Sequence, residues 1–277
     1  MPSRIHESVI TVPFDSNIYL IGGFDRRGRS IRSFYFDTSR PNYGWRDIPK
    51  MLVGRERPSA IAFNGKLYVF GGTRNIYPQA ETFDPETNEW IPLHEPNWEL
   101  ETQGGLAFTI PDDKSDIKLM VVCTDDYDKS LNTYDVKTQS WDHFELQCCS
   151  ELGLDKAAIF ANGVVYWYSK KQNNLLGYDL ASRNWFPDPV AGLEEANVFP
   201  HRTDESPVWI LHLGGETMCL TWYVKTHGSA TNMTVYCTTF RVDKCDNGKG
   251  ETILVATVES SACSHVNGSE CLDFIAL

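Results

Sequence analysis

Phe14-Asp-Ser-Asn-Ile-Tyr-Leu-Ile-Gly-Gly23 and Phe63-Asn-Gly-Lys-Leu-Tyr-Val-Phe-Gly-Gly72 align without a gap, forty-nine residues apart. Each reads as the end of one strand, a tight turn, then an apolar strand that stops at Gly-Gly, where absent side chains permit positive φ or close backbone approach. Phe160-Ala-Asn162-Gly163-Val-Val-Tyr-Trp167 repeats the hairpin with Tyr168-Ser169 in place of the glycines. Phe108 opens a version with a longer acidic turn, Pro111 to Asp116.

After each hairpin comes an aromatic strand with an aspartate, a short turn and a tryptophan. The pairs are Tyr35-Phe-Asp37 with Trp45, Phe83-Asp84 with Trp90, Tyr134-Asp135 with Trp141, and Tyr178-Asp179 with Trp185. Such regular recurrence predicts structural tryptophans, mostly buried and equivalent from unit to unit, that wedge one sheet against the next. A period near fifty with four strands per unit predicts an all-β, kelch-type β-propeller of four-stranded antiparallel blades. The blades fall near 5–50, 58–95, 104–147, 156–190 and 196–260 of a single domain, with 261–277 as a closing strand or partial blade. After Val190 the pattern fades into five apolar runs, so five blades are favoured and six are the alternative.

Hydrophobic residues make up 42% and charged residues 22%, which is globular composition, and no apolar run is long enough to span a membrane. A formal charge of -12 argues against nucleic acid or an anionic membrane as partner. Arg26-Arg27-Gly28-Arg29 reads as a solvated turn. No secretory leader is evident at the start, so the expected compartment is cytoplasmic or nuclear, and the eight cysteines are expected to be thiols.

The motifs Asn17 to Gly23, Trp45-x4-Lys50-Met51-x3-Arg55, Lys66 to Gly72, Ala80-Glu-Thr-Phe-Asp84, Val235 to Val242 and Cys271 to Leu277 resemble plant F-box/kelch-repeat proteins. That resemblance implies a propeller that captures a protein, joined in the family to an F-box that recruits a ubiquitin ligase. Here the first blade starts near Ile5, so the expectation is that no ligase adaptor binds. Plant kelch specifier proteins hold iron through a Glu-x3-Asp-x3-(Asp/His) run. The nearest match, Glu151, Asp155 and Ile159, lacks the third ligand, so neither a metal nor a cofactor is expected.

No standard catalytic motif occurs. Function on such folds concentrates in the loops that lead from one blade to the next. Candidate binding residues there are Arg4, His6, Arg55, Arg57, Trp98, Glu101, Glu195, Asn197 and His201. Glu7, Glu56 and Glu101 each stand seven residues before the aromatic that ends a first strand. Together with His6 they are the candidate acid or base groups, because gathered carboxyls raise one another's pKa. Two functions remain open: a module that binds a protein at the mouth of the propeller, or a kelch-only protein with a small-molecule pocket for a plant metabolite. The second could be a cofactor-independent cyclase or isomerase of specialised metabolism.

Overall fold

The computed structural model describes residues 7–25, 28–74, 76–100, 107–111, 117–124, 129–146, 154–193, 208–225 and 232–267. They form five antiparallel sheets. The first contains β1 (Glu7–Phe14), β2 (Asn17–Asp25), the short β3 (Gly28–Arg29), β4 (Ser33–Asp37) and β5 (Trp45–Asp47). The second runs β6 (Ser59–Phe63), β7 (Lys66–Phe70), β8 (Ala80–Asp84) and β9 (Glu89–Pro92). The third is β10 (Ala107–Pro111), β11 (Ile117–Thr124), β12 (Lys129–Asp135) and β13 (Ser140–Glu145). The fourth comprises β14 (Leu154–Ala161), β15 (Val164–Ser169), β16 (Asn174–Asp179) and β17 (Asn184–Trp185). The fifth is built from β18 (Val208–Gly214), β19 (Thr217–Lys225), β20 (Asn232–Asp246) and β21 (Thr252–Asn267). Two compact units, Met1–Cys149 and Ser150–Ala276, hold three and two of these sheets.

Four of the five late apolar runs become β18 to β21, and the fifth, Cys271 to Leu277, lies outside the described residues. The last strand is longer than its apolar core suggests. Its polar continuation from Glu259 stays paired with β20 as far as Asn267, past the expected edge of the blade at 260.

The hairpin turns obey the sequence. Asn64 and Gly65 both adopt positive φ, 47° and 75°, in a two-residue link between β6 and β7, and Asn162-Gly163 repeats it. The strand that follows is buried on both faces, which is why it reads as continuous hydrophobe. On β7, Leu67 and Val69 pack with Val12, Tyr19 and Ile21 of the first sheet and with Met51 of the segment that follows it. Tyr68 and Phe70 face the other way, with Leu100 and Tyr134. Period-two alternation thus sends one strand into two interfaces. In the second unit Val164, Tyr166 and Tyr168 of β15 pack with Leu220, Trp222 and Phe240.

The aspartates close the turns before the fourth strands. Asp84 accepts the Glu86 N–H and Asp135 accepts those of Lys137 and Thr138, while Asn88 and Gln139 supply the positive φ. Lys66 bonds to Asp84 and holds its carboxyl below the usual range; the Thr138 amide does so for Asp135. Among the described residues Cys219, Cys237, Cys245 and Cys263 are free thiols. The Cys219 and Cys237 sulfurs lie 2.8 Å apart, and burial pushes the Cys219 thiol up to about 12.

The tryptophans are equivalent: Trp45, Trp90, Trp141 and Trp185 stand opposite Phe36, Phe83, Tyr134 and Tyr178 in register. Ring centroids are 5.4, 5.2, 4.9 and 5.2 Å apart. Trp90 Nε1 donates to the Pro49 carbonyl and Trp141 Nε1 to that of His94, each acceptor four residues past the tryptophan of the preceding sheet. All four are mostly buried, as expected, but unequally: Trp90 is enclosed, whereas Trp45, Trp141 and Trp185 keep a partly exposed edge on their outer strands. Trp90→Ala should therefore cost roughly 3–5 kcal/mol, and Trp45→Ala clearly less, in urea unfolding midpoints.

Candidate functional site

In an antiparallel sheet the link from second to third strand and the exit from the fourth emerge at the same end. Three such segments, residues 24–32, 48–58 and 71–79, are bonded together across the first two sheets. Arg55 N–H donates to the Ser30 carbonyl, the Gly23 N–H to the Arg55 carbonyl, the Met51 N–H to the Ile31 carbonyl, and the Glu56 N–H to the Gly72 carbonyl. The glycines are needed here. A Cβ on Gly22 (φ +74°) would lie 2.6 Å from the Arg55 carbonyl oxygen, and one on Gly72 (φ +72°) 2.6 Å from that of Glu56.

At the centre is Arg55, whose side chain is 0% exposed. Nε donates to Glu81 Oε1 at 2.8 Å, Nη1 to the carbonyls of Gly71 (2.6 Å) and Gln79 (2.8 Å), and Nη2 to that of Pro78 (2.9 Å). Glu81, equally enclosed, takes the Leu52 N–H on its second oxygen at 2.8 Å. Burial pulls the Arg55 pKa down while Glu81 opposes it. Arg55 was expected at the mouth; its side chain is instead enclosed and serves as an internal tie.

The other expected site residues separate. Glu56 is partly exposed, with Oε2 3.9 Å from Arg29 Nε. Arg57, at φ +48°, meets Ser8 through both its amide and its Nε. Glu7 pairs with Phe24 at the end of β2, and Glu56 bonds beside the end of β7, so these two hold matching places in their hairpins. Trp98 lies over His143, centroids 5.2 Å apart, and Asn132 Oδ1 receives the Trp98 Nε1–H and contacts His143 Nδ1, both at 2.8 Å. Arg4, His6, Glu101, Glu195, Asn197 and His201 lie outside the described residues. Among the described residues no group of three His, Cys, Asp or Glu side chains is placed to hold a metal ion.

Sequence reasoning passed over Glu81, Gln79 and Glu95. The signal for Glu81 was present as one carboxylate inside the strand Ala80-Glu-Thr-Phe-Asp84, where all five residues are buried. Gln79 gives its side-chain amide to the Trp98 carbonyl and its N–H to Glu95, whose carboxyl burial pushes up.

Removing one partner of a buried ion pair strands the other charge. Arg55→Ala should cost roughly 3–5 kcal/mol in urea unfolding. The double change Arg55→Met, Glu81→Leu should recover only part of that loss, because the Gly71, Pro78 and Gln79 carbonyls and the Leu52 N–H would stay unpaired.

The FKB95 kelch-repeats domain model matches residues 1–261. The Arabidopsis thaliana F-box/kelch-repeat protein At4g19870 is 27% identical over 259 residues, 89% of this chain and 60% of its own length. At5g03020, also an F-box/kelch-repeat protein of Arabidopsis thaliana, is 46% identical over 83 residues, 28% of this chain and 23% of its own. The chain thus spans at most about 60% of the length of these curated relatives. The solved structure of YjhT superposes with a TM-score of 0.55 at 13% identity, covering 96% of this chain and 98% of that one. The repeat, its tryptophans and the family model agree: this chain belongs to the FKB95 kelch-repeat family of plant F-box/kelch-like proteins and has the fold of a kelch β-propeller.

Proposed function

We propose that the chain is a protein-binding module and that it docks its partner on the Arg55-braced end of the first two sheets. One observation carries this reading. Nine large hydrophobic side chains are exposed among the described residues, and five of them, Phe24, Ile31, Leu52, Ile76 and Tyr77, belong to the three braced segments. Single exposed hydrophobes are ordinary, but a concentration on neighbouring loops is the usual mark of an interface. Three of them are fixed at or beside their own backbone. Ile31 is tied through its carbonyl, Leu52 through its N–H to Glu81, and the chain after Tyr77 through the Pro78 carbonyl on Arg55. A platform ordered before binding loses little entropy when a partner arrives.

A catalytic pocket draws less support. In the polar group of the third sheet, Trp98 Nε1 and His143 Nδ1 are both spent on Asn132. Capturing a protein is also the role that the F-box/kelch resemblance implies for a propeller.

The test compares proteins cross-linked and captured from plant extract by wild type, Tyr77→Ser, Leu52→Asp and Tyr43→Ser. Tyr43 is 65% exposed, beside Trp45 on the turn at the other end of the first sheet, and so serves as the control. Partners should be lost with Tyr77→Ser and Leu52→Asp and kept with Tyr43→Ser, at unchanged melting temperature. Equal capture by all four proteins overturns the reading.

A further inference from the structure

β19 and β20 bring two cysteines, Cys219 and Cys237, to one face of the fifth sheet. Cys219 stands opposite Thr239 and Thr221 opposite Cys237, so the cysteines are diagonal neighbours on adjacent antiparallel strands. A diagonal pair spans more than a directly opposed one. Here the side chains close the span by leaning together, and the sulfurs lie 2.8 Å apart. They need to approach by less than an ångström to reach a sulfur–sulfur bond of about 2.05 Å. Cys263 stands opposite Tyr236 and therefore points to the other face of the sheet.

The two thiols are not alike. Cys219 is buried and Cys237 is partly exposed, so a small oxidant reaches Cys237 first. Burial, with the Cys237 thiol beside it, holds Cys219 protonated at neutral pH. Two groups oppose that: Thr221 Oγ1, 3.4 Å from the Cys219 sulfur, and the Thr238 amide, both of which favour its thiolate. A cysteine kept for packing alone is enclosed and inert, whereas Cys237 is reachable and already touches a second thiol.

We infer that Cys219 and Cys237 form a reversible redox modification site, a dithiol that hydrogen peroxide converts to a cross-strand disulfide between β19 and β20. The Cys237 thiolate attacks one peroxide oxygen: the S–O bond forms, the O–O bond breaks, and the departing hydroxide takes up the proton that the thiol had shed. Cys219 then attacks the Cys237 sulfur. The S–S bond forms, the S–O bond breaks, and hydroxide leaves with the Cys219 proton as a second water. Two electrons thus pass from the sulfur pair to the peroxide. The bond ties two strands through residues eighteen apart in sequence. Its long diagonal span leaves it open to reduction by thiols, which makes the change a switch and not a permanent staple.

The test treats the reduced whole chain with equimolar hydrogen peroxide, alkylates the remaining thiols in guanidinium and maps tryptic peptides without reduction. Cys219 and Cys237 fall in separate peptides, 203–225 and 226–241, with Cys245 in 245–249 and Cys263 in 250–277. The expected product joins 203–225 to 226–241, is two hydrogens lighter than the separate thiol peptides, and is released by dithiothreitol. In Cys219→Ser, sulfenic acid trapped at Cys237 by dimedone should rise roughly tenfold over wild type, because the thiol that consumes it is gone. Cys237→Ala should leave Cys219 fully alkylated. The wild-type peptide map decides even if either variant fails to fold. Cys219 still alkylated once Cys237 is oxidised, a link from either cysteine to Cys245 or Cys263, a cross-link between chains, or a 219–237 link that forms only when the chain is unfolded before oxidation overturns the inference.

Discussion

A guanidinium withdrawn from water must find a partner for nearly every N–H, and Arg55 finds them on three pieces of chain at once. Its Nε meets a carboxylate on β8, Nη1 and Nη2 meet three carbonyls of the 71–79 segment, and its own backbone bonds to Gly23 and Ser30 of the first sheet. Each contact is worth little by itself in water. Inside, where the effective dielectric constant is low, losing any one leaves a buried group unpaired, so the set behaves as a unit. The glutamate that anchors it is particular to the second sheet. At the positions of Glu81 counted from the third-strand aromatic, the other sheets carry Phe34, Asn132 and Leu176.

This explains how a fold whose energy lies in apolar interfaces can also hold loops still. Burial on both faces of strands such as β7 stabilises the sheets, with Leu67 and Val69 turned one way and Tyr68 and Phe70 the other. It does nothing for connections that carry Ile31, Leu52 and Tyr77 out into solvent. Those are fixed by backbone hydrogen bonds that converge on Arg55 and Glu81, and by glycines whose missing Cβ atoms let the segments touch.

The parts of the fold that repeat were legible in the sequence, since repetition exposes period-two burial, turn chemistry and the spacing of Trp45, Trp90, Trp141 and Trp185. The unequal burial of those tryptophans was not. Spacing fixes their place in the sheet, but outer-strand exposure depends on how much neighbouring chain covers each ring. The site was harder for a related reason. An arginine in a connecting loop looks solvated, and nothing local in Gly54-Arg55-Glu56 announces that its acceptors are carbonyls some twenty residues away, together with a glutamate on β8.

The claim that matters most is that one buried arginine makes the first two sheets present a single rigid platform. Amide hydrogen exchange of Arg55→Met against wild type tests it directly. The account predicts that Gly23, Met51, Leu52 and Gly71 lose protection together, in both sheets, while the amides pairing β12 with β13 around Tyr134 keep theirs. Loss confined to Leu52 and its immediate neighbours, or equal loss in the third sheet, would contradict it.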